Sequence, residues 1–145
     1  MNAETRKAST AVGAGDRALI AELIARYAWA LDTDSPDAVA ALFTEDGVFD
    51  GVSGLFEGRA RVREMAAVSR AHDAPLLVQH WVGNSLFEGD AERCIVRSMC
   101  IGPAAGGASS ALAFVGTYLD VCVKVDRSWL FARRRWRPWD GRHVA

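Results

Sequence analysis

The hydrophobic pattern of this 145-residue chain changes at Pro75, from a helical period before it to a strand-like one after it. Upstream, apolar side chains recur every three or four residues and form one stripe: Ile20, Leu23, Ile24, Tyr27 and Leu31. Downstream are four long strand-like segments: 76–87, 91–101, 111–125 and 129–136. Turns at 88–90 and 126–128 and a loop at 102–107 separate them. Helices followed by a meander of long strands predict an α+β fold, with the helices on one face of a curved sheet.

Local signals divide the first half of the chain into three helices. Asp16 is the predicted N-cap of a helix over 16–31, and Ser35 followed by proline predicts a second, short helix over 36–43. The third helix is predicted over 59–70. The intervening segments are read as a turn, a short strand, and a loop or hairpin: 45–47, 48–50 and 51–58.

Length and charge limit the classes of protein to consider. A chain of this size forms one domain with a sizeable core. We expect an N-terminal arm over 1–15, the domain over 16–137 and a C-terminal tail over 138–145. The net charge of −1 does not favour nucleic acid or an anionic membrane as a partner. No apolar run approaches the roughly 18 residues of a membrane-spanning helix, and the N-terminus lacks the apolar core of a signal peptide.

The cysteines indicate a reducing compartment. Cys94, Cys100 and Cys122 are an odd number, lie inside strand-like segments and match no zinc-binding spacing. Reduced, buried thiols of this kind are typical of cytoplasmic proteins, so we expect a cytoplasmic protein.

His80 is the residue that most directly suggests chemistry. It lies inside the strand-like run 76–82, with no second His or Cys at metal spacing nearby, so we predict no metal. Alternation places it on one face with Val78, Val82 and Asn84. A buried histidine needs a hydrogen-bonded partner, and a carboxylate also tunes its proton affinity. Asp32, at the end of the first helix, would serve if the fold brings it near.

Other polar and aromatic residues allow either a pocket role or a packing role. Tyr27 shares the apolar stripe of the first helix, and Phe114, Tyr118 and Asp120 share one face of the third long strand. Tyr27 and Tyr118 suit either the core or a polar pocket, and Asp120 suits either a pocket or the outer sheet face. The arginine-rich run 133–137 is divided between both faces by alternation, which favours a solvated or subunit-facing strand.

Several ordered landmarks resemble the SnoaL-like group of the NTF2-like superfamily. They are the run from Ile24 to Asp32, the helix from Asp37 ending at 41–47, the glycines at 54 and 58, Gln79-His80, and the segments 116–118 and 126–131. The resemblance covers about 16–136. It implies a cone-shaped fold in which three N-terminal helices pack on a strongly curved antiparallel or mixed sheet.

Within the superfamily, the chain is most similar to the scytalone dehydratase and bile-acid dehydratase branch. There, an Asp at the end of helix one pairs with a His on the strand after helix three, and Asp32 and His80 occupy those positions. Tyr27 matches a pocket tyrosine of the bile-acid dehydratases and ketosteroid isomerases. The second pocket histidine of scytalone dehydratase has no counterpart in 93–101, and the position of the isomerase base falls at Gly51.

The resemblance implies a cofactor-independent lyase or isomerase for a hydrophobic oxygenated ring, such as a polyketide or steroid. His80 would remove and return the proton, and Asp32 would orient the imidazole of His80. Tyr27 or Tyr118 would bind the developing oxyanion. Phe49, Phe114 and Asp120 complete the predicted substrate site.

The alternative is a non-catalytic ligand-binding protein or an assembly subunit, like the β subunit of ring-hydroxylating dioxygenases. We also expect a homodimer or homotrimer formed through the sheet, because Trp81, Val96, Val121 and Val123 would expose apolar area there. A hydrophobic small molecule is the expected ligand, with neither nucleic acid nor a membrane as partner.

Overall fold

A computed structural model describes residues 11–33, 35–73, 77–105 and 111–142. Residues 1–10 of the predicted arm, 143–145 of the predicted tail and part of the loop predicted at 102–107 lie outside the described residues. The helices and strands, in chain order, are α1 Ala14–Thr33, α2 Pro36–Ala40, β1 Phe43–Gly51, β2 Gly54–Glu57, α3 Arg59–Asp73, β3 Trp81–Gly89, β4 Arg93–Ala104, β5 Ala111–Val125 and β6 Ser128–Pro138.

The six strands form one mixed sheet with the order β2-β1-β6-β5-β4-β3. Neighbouring strands are antiparallel except for β1 and β6, which run parallel. Register shifts in β3–β4, β4–β5 and β5–β6 mark bulges, which bend strands and increase their twist. The α+β class and the mixed sheet predicted from the sequence are confirmed.

The helical part differs from the prediction of three N-terminal helices. Only α1 and α3 are long, α2 has five residues, and β1 and β2 precede α3. The predicted second helix is shorter because Leu42 and Phe43 turn into β1, where the backbone N–H of Phe131 donates to the carbonyl of Leu42. The side chain of Ser35 caps α2 as predicted, accepting from the backbone N–H of Ala38.

The core lies between the helices and one face of the sheet. All five members of the α1 stripe are buried, as are Val62, Met65 and Ala66 of α3. α1 contacts β3 and β6, and α3 contacts β1 and β2, so both long helices cover parts of the sheet. The inward residues of β4 and β5 alternate along the strands, with Cys94, Val96, Cys100, Tyr118 and Cys122 buried.

The start of α1 differs from the predicted cap. The helix begins at Ala14, so Asp16 lies in its first turn rather than at the cap position. The Asp16 carboxylate accepts from the indole N–H of Trp129 at 2.8 Å and pairs with Lys124 at 2.8 Å. Both contacts lower the pKa of Asp16, with the Lys124 hydrogen bond as the largest cause. These contacts tie the beginning of α1 to the β5–β6 hairpin.

Candidate functional site

Asp32 and His80 meet through two hydrogen bonds, although 48 residues separate them. Asp32 lies in the last turn of α1, and His80 directly precedes β3. One carboxylate oxygen lies 2.7 Å from Nδ1 of the imidazole, and the other accepts from the backbone N–H of His80 at 2.7 Å. The side chains of His80 and Asp32 are 9% and 14% exposed. The pair is therefore mostly buried but keeps some contact with solvent.

The geometry fixes the tautomer of His80. An ionised carboxylate only accepts hydrogen bonds, so the Nδ1 that faces Asp32 carries the proton. Nε2 of the neutral ring is then an acceptor that can take a proton. This arrangement of a carboxylate, an imidazole and a free ring nitrogen supports general acid/base chemistry.

The backbone near His80 is not a strand, contrary to the prediction of a continuous strand over 76–87. β3 begins at Trp81, and Leu77 has φ = 47°. The segment is held instead by a bridge between Val78 and Ala104 and by a hydrogen bond from Gln79 N–H to a carbonyl of β4. The backbone N–H of His80 binds Asp32 and so does not continue the ladder.

Aromatic side chains from the sheet line one side of the histidine. The Phe114 ring lies 5.0 Å from the imidazole, between centroids, and Trp136 packs edge-on against Phe114 at 5.8 Å. Phe114 can occupy this position because Gly102 is opposite it in the sheet, and a Cβ at residue 102 would lie 2.2 Å from the ring. Phe114 thus lies next to His80, and its role as a substrate-site residue stays a prediction.

The two tyrosines lie deeper than the dyad. Tyr27 and Tyr118 are buried with their rings 6.2 Å apart, and Tyr27 also packs edge-on against Phe43 and Phe131. Burial raises the pKa of both hydroxyls well above the ordinary value, and Arg134 only partly opposes it. Both hydroxyls are therefore neutral and able to donate at physiological pH.

Two other predicted residues have different surroundings. Phe49 is buried on β1 and packs against Phe56 of β2, with no contact to the dyad recorded among the described residues. Asp120 is fully buried on the inner face, so the outer-face alternative is wrong. Burial raises the pKa of Asp120 to about 6, against the opposing effect of Arg134, which lies 3.4 Å away.

Arg134 is the residue that sequence reasoning missed. The run 133–137 was predicted to be solvated or subunit-facing, yet the Arg134 side chain is fully buried against Tyr27, Tyr118 and Phe131. The cause is the register shift around Ala132, where the β5 pairing moves from Phe131 to Arg133. The extra residue makes Arg134, rather than Arg133, face inward. The need of an inward-facing Asp120 for a positively charged partner is the feature of the sequence that could have identified Arg134.

In the described part of the chain, no group of three or more His, Cys, Asp or Glu side chains lies close enough together to hold a metal ion. The predicted absence of a metal and of a cofactor stays a prediction. None of the described helices is long and apolar enough to cross a membrane.

A curved mixed sheet, helices on its inner face and a carboxylate–histidine pair between them define a class of small α+β domains with an interior polar site. The chain belongs to the SnoaL-like domain family, whose model matches residues 14–135. The predicted family is thus confirmed. No curated protein sequence matches the chain.

Solved structures with the same fold span nearly the whole chain. Rv3472 from Mycobacterium tuberculosis, a protein of unknown function, is 30% identical, with 88% of this chain and 76% of that chain covered and a TM-score of 0.76. A candidate aromatic ring hydroxylase from Novosphingobium aromaticivorans is 27% identical, with 87% and 90% covered and a TM-score of 0.73. A candidate scytalone dehydratase from the same organism is 23% identical, with 90% of each chain covered and a TM-score of 0.73.

Proposed function

We propose that this protein is a cofactor-independent lyase or isomerase, of the dehydratase or cyclase type. Its substrate is a hydrophobic, oxygenated ring compound such as a polyketide or a steroid. The observation that carries the proposal is the Asp32–His80 pair, in which one carboxylate binds both the ring and the backbone of the histidine. A fixed carboxylate behind a histidine sets the tautomer and stabilises the imidazolium that forms when the ring takes a proton.

The reaction begins with removal of a proton next to a carbonyl group. Nε2 of His80 takes the proton, and the electron pair of the C–H bond moves onto the carbonyl oxygen to give an enolate. In a dehydration, the imidazolium returns the proton to the leaving hydroxyl, so that a C=C bond forms and water departs. In an isomerisation the proton returns to another carbon. In an aldol-type cyclisation the enolate carbon attacks a second carbonyl, and the alkoxide that forms takes the proton back from the imidazolium.

The surroundings of the dyad support a hydrophobic ring as the substrate. Phe114 and Trp136 present apolar surface next to the imidazole, and aromatic walls contribute large burial areas to binding. Among the structures that share this fold is a candidate scytalone dehydratase. Neutral tyrosine hydroxyls lie deeper in the same interior and can donate to an oxygen of the substrate.

The test measures the step that all three reactions share. We expect the protein to exchange α-protons of cyclic ketones, such as steroid and polyketide analogues, for deuterium in D₂O, followed by NMR. His80→Gln removes the base and should reduce the exchange rate by about 10²–10⁴-fold. Asp32→Asn should reduce it by a similar factor, because an amide can donate to Nδ1 and so select the wrong tautomer.

Asp37→Asn is the matched control, since Asp37 is an exposed carboxylate on α2 that pairs with Arg63. It should leave the exchange rate unchanged. Exchange that persists in His80→Gln would contradict the proposal. Unfolding of both dyad variants, seen by circular dichroism, would show instead that the pair is a structural contact.

A second candidate function is an assembly subunit without its own chemistry. The observation that favours it is a row of exposed apolar residues on the outer sheet face, comprising Trp81, Ile101 and Val115. The structural similarity to a candidate aromatic ring hydroxylase is in line with it. This role predicts no His80-dependent exchange with any ketone and a stable complex with a larger enzyme subunit.

A further inference from the structure

Arg134 and Asp120 form a charged pair in the interior of the domain. They are directly opposite each other on β6 and β5, and both side chains are fully buried. Nη1 of Arg134 lies 3.4 Å from Oδ2 of Asp120, which is an ion pair but too loose to satisfy the donors of the guanidinium. Within the described residues, none of the three guanidinium nitrogens and neither carboxylate oxygen has a hydrogen-bond partner.

Such a pair is costly unless something else binds to it. A buried charge needs a counter-charge and hydrogen bonds, and each unsatisfied polar atom carries its own desolvation cost. Replacement of a buried ion pair by apolar residues is often neutral or stabilising. Stability alone therefore does not explain the pair. An unsatisfied group of this kind calls for a functional explanation.

The aromatic surroundings leave the edge of the guanidinium as its binding surface. Its central carbon lies 3.7 Å from the Tyr118 ring centroid, 4.2 Å from that of Tyr27 and 4.6 Å from that of Phe131. Rings interact with a cation through their faces, which stabilises the charge without accepting its N–H groups in full hydrogen bonds. The N–H donors are left without acceptors and are closed off from solvent, so a substrate oxygen reaches them only when neighbouring side chains shift.

The cluster is continuous with the dyad. Tyr27 and Cys100 both lie within electrostatic range of Asp32 as well as of Arg134, and Tyr118 hydrogen-bonds the Cys100 thiol. His80 and Asp32 retain some exposure, whereas Arg134 has none. The dyad is thus the end of this cluster that reaches solvent, and the guanidinium is the end that does not.

We propose that Arg134 is the oxyanion-binding group of this site, and that the substrate presents a carbonyl or phenolic oxygen to its guanidinium. This inference rests on the proposed function and deepens it. When His80 takes the α-proton, the electron pair moves to the carbonyl oxygen, and the guanidinium receives the resulting negative charge. Tyr27 and Tyr118 are neutral and can only add hydrogen bonds, whereas a fixed positive charge in a buried site stabilises an enolate strongly.

Asp120 positions the guanidinium between the rings. Arg134 lowers the pKa of Tyr27, Tyr118, Cys100 and Asp120, in each case against the effect of burial. The site therefore selects substrates with an oxygen that is anionic or becomes anionic during the reaction.

The test uses 4-nitrophenol, whose phenolate absorbs at a longer wavelength than the phenol. It mimics an enolate next to a ring and requires no turnover. Absorbance titrations across the ionisation of the dye give its pKa when bound. We expect the wild-type protein to bind the phenolate at least tenfold more tightly than the phenol. Arg134→Met should reduce this preference to twofold or less.

A double variant and a control variant distinguish loss of oxyanion binding from a folding defect. Arg134→Met leaves Asp120 buried without a counter-charge, so the double variant Arg134→Met/Asp120→Leu replaces the whole pair with apolar side chains. It should fold at least as well as the wild type and still lack the phenolate preference. Arg133→Met is the matched control, because Arg133 lies on the outer face and binds Asp50, which Arg137 also binds. It should keep the preference.

Several outcomes would overturn the proposal. They are a wild-type protein with no phenolate preference, a preference that survives in either Arg134 variant, and a double variant that fails to fold. Each is separable from failure of the proposed function, which is read from His80-dependent proton exchange. Normal exchange in His80-intact protein, combined with an unchanged preference in Arg134→Met, would leave the dyad chemistry standing and remove Arg134 from it.

Discussion

Two charged residues of this domain are buried at positions where the sequence pattern suggests only packing. Asp120 lies between two apolar residues on β5, and Arg134 stands in a run of arginines on β6. The roles of Asp120 and Arg134 depend on which face of the sheet each side chain occupies. The face of Asp120 follows from its alternation with Tyr118, but the face of Arg134 depends on one inserted residue.

Asp120 gives the stability of the protein a defined pH dependence. Its folded-state pKa of about 6 is above the ordinary value because of burial. A raised pKa means that the folded state holds the proton more tightly, so this stabilisation is complete below about pH 4 and lost as the pH rises through 6. Relative to Asp120→Asn, the wild type should lose on the order of 3 kcal/mol of unfolding free energy across that window.

Urea denaturation of the two proteins from pH 4 to pH 8 measures this difference. The comparison with Asp120→Asn removes the contributions of the other carboxylates, such as Asp16 and Asp50, whose pKa values are lowered. The groups that face Asp120 are Arg134, Tyr27, Tyr118 and Cys122, and none of them titrates near pH 6. Parallel stability curves would show that Asp120 has an ordinary pKa.

At the scale of elements, the β5–β6 hairpin has a turn whose backbone suits Asp126 but not Arg127. Asp126 and Arg127 have φ values of 45° and 68°, and Val125 pairs with Ser128 around them. Two-residue turns with positive φ at both positions favour Asn or Asp followed by Gly. Arg127→Gly should therefore stabilise the protein by about 0.5–1 kcal/mol, since a non-glycine residue in this region costs roughly 1–2 kcal/mol.

Thermal denaturation of Arg127→Gly and of Arg127→Ala separates the backbone effect from loss of the side chain. Alanine removes the same guanidinium but keeps the Cβ, so it should give no gain. An equal gain from both variants would trace the effect to the arginine charge.

The elements differ in how far the sequence predicts them. The α1 stripe depends only on local period, and all of its members are buried as predicted. The face of β3 is predicted correctly through Val82, but Asn84 has φ = 51° at a bulge and is exposed, so Ser85 and Phe87 turn inward instead. Bulges shift the alternation by one residue, and pairing partners far along the chain decide where they fall.

In the candidate site, too, some features follow from the sequence pattern and others from contacts between distant residues. Asp32 and His80 could be matched by their positions in a family pattern, whereas the loss of strand structure before Trp81 depends on a contact between residues 48 positions apart. Pro103 and Ala104, read from the sequence as loop, extend β4 because β5 pairs with them. Sequence patterns describe the faces of elements well, but not the long-range pairs that set their ends.

At the scale of the whole molecule, the outer face of the sheet carries apolar side chains that no described helix covers. Trp81, Ile101 and Val115 are neighbours in register across β3, β4 and β5, and Trp139 hydrogen-bonds the backbone of Val115. All four side chains are more than 40% exposed. Of the residues predicted to form this surface, Trp81 is exposed and Val121 and Val123 are partly buried, but Val96 faces the core because alternation on β4 points it inward.

We expect this row to pair with the same row of a second copy. A twofold interface brings identical patches together, so a patch must offer both a projection and a depression. Trp81 projects from the row with 61% of its surface exposed, and a pocket of about 380 Å³ lies beside it against Met99 and Ile101. Contiguous exposed apolar area on this scale is typical of an interface. Light scattering at micromolar concentration should therefore report a dimer.

Ile101→Glu places a charge in the middle of the row and should convert the dimer to a folded monomer, because burial of an unpaired carboxylate costs several kcal/mol. Val68→Glu is the matched control, since Val68 is 67% exposed on α3, away from the sheet. It should remain dimeric, and circular dichroism should show both variants folded. A monomeric wild type, or an Ile101→Glu protein that still associates, would mean that this row is not the contact and that another element covers the outer face.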